Sequence, residues 1–141
     1  MDRPAQAINS LEHSRIAKDL LRLFIADRMP YSPTMQRPND PHLKIAIERI
    51  VQAMAPEAIY LFGSRARGNF APRSDYDLLV VVSDSAPEWA YSPAAAARIP
   101  REPGVALDVV PCRRSAFERR KNQIGTISRR VATEGRLVYG R

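Results

Sequence analysis

LFGSRARGNFAPRSDYDLLVVV, running from Leu61 to Val82, is an apolar run that breaks into a glycine-rich basic turn and resumes after two alternating acids. The stretch from Ala58 to Phe62 stops at Gly63 and Ser64, so a residue without a side chain and a small hydroxyl stand where a strand ends. A helix is expected to begin there, with Ser64 as its N-cap. Free N–H groups at a helix start attract phosphate oxygens. Arg65, Arg67 and Arg73 add fixed positive charge around the same turn. Ten residues separate Ser64 from Asp75, and Asp77 follows two positions later. On a strand, residues two apart point to the same face, so both carboxylates converge on one hard cation. A lone Asp-x-Asp would be read as turn and cap residues, but that reading leaves the upstream Gly-Ser turn unexplained.

Gly63-Ser64, ten intervening residues and Asp75-Tyr76-Asp77 resemble the GSx10DxD signature of the DNA polymerase β-like nucleotidyltransferase superfamily. LFGSRARG followed by SDYDLLVVV is similar in particular to the minimal nucleotidyltransferase family of bacteria and archaea. The likeness runs from about Pro41 to the C-terminus, where Glu134-Gly135-Arg136-Leu137-Val138-Tyr139 resembles that family's closing segment. The resemblance implies an α/β (α+β) fold, a small palm with a mixed β-sheet and helices packed on it. It also implies a third carboxylate on a later strand, and Asp108 within Val105 to Val110 supplies one. Asp75, Asp77 and Asp108 would then be the catalytic, metal-holding acids, with two Mg2+ ions expected. Gly63, Ser64 and Arg65 would hold the phosphates of ATP. Such families work beside a separate helical HEPN protein, as antitoxins that transfer AMP onto a hydroxyl of the partner. Aminoglycoside adenylyltransferases share the signature but carry a sizeable helical acceptor domain, which is not read here. A non-catalytic nucleotide- or nucleic-acid-binding module is the other alternative, and the three intact acids weigh against it.

Composition bounds what can be built around this centre. The 141 residues suit one domain with a core of ordinary size. No apolar run approaches the roughly 18–20 residues of a membrane span. Met1-Asp2-Arg3-Pro4 lacks a basic leader with an apolar core. The single cysteine, Cys112, cannot form an internal disulfide, so a reducing cytoplasm is expected. The formal charge of +7 favours anionic partners, which include nucleotide, nucleic acid and acidic protein.

Taken in order, Ser10 to Arg28 reads as an amphipathic helix, and Met29 to Pro41 as a proline-rich connector. Residues 1–40 are therefore expected to form an N-terminal helix and connector, and residues 41–141 the nucleotidyltransferase domain. Asp40-Pro41 looks like an N-cap with a helix-opening proline, and Leu43, Ile47, Ile50, Val51 and Met54 follow at helical spacing. Between Ser83 and Gly104 only Ala94 to Ile99 suggests helix, and Trp89 and Tyr91 suit either stacking on a base or pinning the loop and are left outside the site. A third strand is expected over Val105 to Val110, stopped by Pro111. Ser115 and Glu118 suggest a capping box for a helix reaching Ile124, and a second helical stretch follows Gly125. Nine basic residues crowd residues 113–141, as a solvated face or as an anion-binding one.

Overall fold

The computed structural model describes residues 39–141. The helix expected over Ser10 to Arg28 and the connector up to residue 38 lie outside the described residues. Helix α1 (Pro41–Met54) opens on Asp40, whose carboxylate accepts from the amides of His42 and Leu43 at 2.9 and 3.3 Å. Asp40 thereby satisfies two of the N–H groups that a helix start leaves without partners. Strand β1 (Ala58–Phe62) leads straight into the one-turn helix α2 (Gly63–Arg67), and β2 (Tyr76–Val82) follows. A 3-10 turn (Glu88–Tyr91) and α3 (Pro93–Ala97) interrupt the crossover to β3 (Leu107–Arg113). Helices α4 (Arg114–Arg120) and α5 (Ile127–Glu134) precede the closing strand β4 (Arg136–Gly140).

The four strands form one mixed sheet in the order β3-β2-β1-β4, with β2 and β3 parallel and the other pairs antiparallel. This is the α/β arrangement expected. Strand β2 is central and covered on both faces, which explains its unbroken apolar run. Side chains alternate across the sheet. Leu78, Val80 and Val82 join Ile59, Leu61 and the apolar stripe of α1, while Leu79 and Val81 join Phe62, Phe117 of α4 and Val131 of α5. Asp77 shares the parity of Leu79 and Val81, so it belongs to the face that α4 and α5 cover.

Three local expectations are overturned. Pro111 does not stop β3 but lies within it, opposite Val80. As the sheet's edge strand, β3 has one side without ladder partners, where a missing N–H costs nothing. The capping box on Ser115 does not form: the Ser115 amide instead donates to Asp84 Oδ1 at 3.0 Å, and α4 ends at Arg120. A long-range carboxylate has displaced the local cap. Ser64 is not an N-cap either, because α2 begins one residue earlier at Gly63, with Phe62 before it making no side-chain cap.

The aromatic pair of the crossover divides. Arg113 lies over the Tyr91 ring at 5.7 Å, whereas Trp89 is 67% exposed. Cys112 packs beside the Leu79–Phe117 cluster, and burial pushes its thiol up to about 11. It is a packing residue with little thiolate, not a nucleophile. No helix among the described residues is long and apolar enough to cross a membrane.

Candidate active site

The site begins where β1 turns into α2. Gly63 has φ of 73°, a left-handed conformation that side chains disfavour, and a Cβ there would collide with Asp77 Oδ2. Glycine is thus required twice over, once by the backbone and once by the carboxylate lying against it. Asp77 in turn pairs with Phe62 across the β1–β2 ladder and with Asp108 across the parallel β2–β3 ladder. Residues paired in register on neighbouring strands, about 4.8 Å apart, present their side chains to the same face. Asp77 and Asp108 are therefore adjacent, and Asp75 stands just before β2, exposed to solvent.

Electrostatics agree with this placement. Burial pushes the Asp77 carboxyl above its ordinary value, and the charges of Asp108 and Asp75 push the same way. Arg67 and Arg130 pull against them. Three hard-oxygen donors gathered at one strand end, with a cradle kept open by glycine, suit a divalent cation such as Mg2+. Among the described residues no three His, Cys, Asp or Glu side chains form a closed ligand cluster. The acids are charge neighbours and not a finished cage. His42, not counted as a ligand from sequence, lies at the start of α1, 3.3 Å from Glu102.

The sequence-derived binding residues fare differently from one another. Ser64 is half-buried on the turn, and its hydroxyl has no hydrogen-bond partner among the described residues. Arg65, expected beside the phosphates, is turned away from the Gly63 turn. Its Nε donates to the Ser74 carbonyl at 2.9 Å and its Nη2 to the Pro72 carbonyl at 3.1 Å, and its guanidinium stacks 3.8 Å over the Tyr76 ring. Arg67, already placed around this turn by the sequence, and Arg130, one of the crowded basic residues near the C-terminus, are the cations whose charge reaches Asp77. Arg67 is one turn beyond Gly63 on the same side of α2, and Arg130 comes from α5. Both contact Glu134 Oε1, at 3.3 and 3.9 Å. Arg67 was legible beside the turn from sequence, but nothing local could have brought Arg130 to it.

With this geometry in place, the chain belongs to the polymerase beta nucleotidyltransferase family, whose pattern residues 46–141 match. It is similar to a candidate nucleotidyltransferase from Sulfolobus solfataricus, at 23% identity over 71% of this chain and 81% of that one, with a TM-score of 0.49. A toxin-antitoxin structure with AMP-PNP is similar at 22% identity, covering 68% of this chain and 72% of that one, with a TM-score of 0.41. A mutant of the toxin-antitoxin MntA-HpeT gives 22% identity, 67% and 71% coverage and a TM-score of 0.39. No curated protein matches the chain significantly.

Proposed function

We propose that this protein is a Mg2+-dependent nucleotidyltransferase that moves AMP from ATP to a hydroxyl of a separate helical, HEPN-type protein, as the antitoxin of a toxin–antitoxin pair in the cytoplasm. The observation that carries the reaction is the in-register Asp77–Asp108 pair set against the Gly63 turn. Asp75, Asp77 and Asp108 would hold the divalent ions, which when bound neutralise the triphosphate and acidify the attacking hydroxyl. Gly63 and Ser64 donate their N–H groups, and Ser64 its hydroxyl, to the leaving phosphates. Arg67 and Arg130 add positive charge on the same side. Asp108, at the sheet edge, accepts the proton of the acceptor hydroxyl as its oxygen bonds to the α-phosphorus. The bond to the bridging oxygen breaks and pyrophosphate leaves.

The choice of acceptor rests on the resemblance to the minimal nucleotidyltransferases. Among the described residues the sheet and its helices provide one wall, with the proposed metal and phosphate ligands, and no second lobe faces it. A macromolecular hydroxyl brought by another chain completes such a site, with tyrosine as the proposed residue. The amphipathic segment Ser10 to Arg28 is a candidate docking element. The experiment is to incubate the protein with labelled ATP, Mg2+ and the product of the adjacent gene, and to locate AMP by mass spectrometry. AMP on a hydroxyl of that product is expected. Label on RNA, or on an aminoglycoside with the partner absent, would replace this reading with the corresponding alternative.

A further inference from the structure

Asp75 is exposed and makes no side-chain hydrogen bond among the described residues, so its position depends on the backbone on either side. That backbone has no helix or strand between Arg67 and Tyr76. One side chain organises it. The Arg65 fork bonds the carbonyls of Ser74 and Pro72, and its guanidinium plane is covered by Tyr76 at 3.8 Å and Phe70 at 4.7 Å. Only 8% of the Arg65 side chain is exposed, and its Nη1 lies 3.8 Å from Asp40 Oδ2. The Tyr76 hydroxyl donates to that same oxygen at 2.5 Å. Burial pushes the Tyr76 phenol up to about 12, with its bond to Asp40 adding to the shift, so it remains a donor. Burial works to raise Asp40, but the Tyr76 hydroxyl, the two α1 amides and Arg65 outweigh it and hold the carboxyl below its ordinary value. The residues immediately before and after Asp75 are therefore both gripped by one buried cation, which is itself tied to the start of α1.

We infer that Arg65 is a positioning residue that sets Asp75 against Asp77, and so tunes metal–nucleotide binding without touching the nucleotide. The inference rests on the functional reading above. A lysine retains the charge but cannot bond two carbonyls as a planar fork or stack between two rings.

The test uses the full chain, with Mn2+ and a non-hydrolysable ATP analogue as probes. Arg65→Lys should weaken Mn2+ binding by about 10–100-fold, the usual effect of removing a group that orients a metal ligand. Amide exchange at Asp75 and Tyr76 should speed up while the α1 and β1 amides stay protected. Because Arg65 acts through Asp75, Asp75→Asn should add little further loss in the Arg65→Lys background. Wild-type Mn2+ affinity in folded Arg65→Lys, or full additivity with Asp75→Asn, overturns the inference. Should Arg65→Lys fail to fold, Tyr76→Leu, which removes the stacking platform, is read by the same criteria. If the wild-type protein itself binds no metal–nucleotide, the functional reading fails separately, and unchanged exchange at Asp75 and Tyr76 in Arg65→Lys would still overturn the clamp.

Discussion

Asp77→Asn is expected to lower the proposed nucleotidyl transfer by about a thousandfold or more, while leaving the metal-free protein as stable as wild type or slightly more so. The loss follows because charge stabilisation by bound metal amounts to several kcal/mol, and each 1.36 kcal/mol is about tenfold in rate. The retained stability follows from the direction of the Asp77 shift. Burial raises this carboxyl in the folded protein, with Asp108 and Asp75 adding to the effect. A group raised on folding favours the fold while protonated, and that contribution is lost as pH rises through its folded value. At neutral pH the charged carboxylate therefore opposes folding, and asparagine removes the opposition. Melting in EDTA and transfer assays in Mg2+ separate the two effects. Retained transfer would remove Asp77 from the mechanism, and a collapse of the melting temperature in EDTA would make its role structural.

The second large effect is expected at Gly63. Alanine at a left-handed position costs about 1–2 kcal/mol from the backbone alone, or roughly 4–8 °C per kcal/mol in a domain near 100 residues. At Gly63 the added methyl must also displace the Asp77 carboxylate, so both stability and metal-dependent nucleotide binding should fall. Gly68 provides the control. It has φ of 81° but open space where a Cβ would go, so Gly68→Ala should show the backbone penalty only. The excess loss at Gly63 should shrink when Asp77 is also truncated to alanine, since the two groups are in contact. Equal losses at the two glycines, or an excess that survives truncation of Asp77, would show that the close approach does not matter.

The contrast between these residues shows what the linear sequence could convey. Strand, turn and acid alternation between Leu61 and Val82 were legible because they depend on neighbours within the same stretch. Asp108 was placed on a third strand by resemblance, and its pairing with Asp77 depends on a parallel crossover that no local pattern specifies. The direction of the Arg65 side chain was not legible for the same reason: Tyr76 and Asp40, which hold its guanidinium, act through the tertiary fold. Pro111 looked like a terminator because edge position is a property of the sheet and not of the segment. The capping box failed because Asp84, brought close by the fold, took the Ser115 amide that the Glu118 side chain would have capped. Arg67 was placed at the turn from its position in the same stretch, whereas Arg130 enters only because α5 packs beside β1 and α2.

Calorimetric titration of the wild-type protein with a non-hydrolysable ATP analogue, once in Mg2+ and once in EDTA, tests the central claim most directly. If Asp75, Asp77 and Asp108 bind the triphosphate through divalent metal, saturable binding will be seen in Mg2+ and will weaken sharply in EDTA. The same affinity in both conditions would contradict the account.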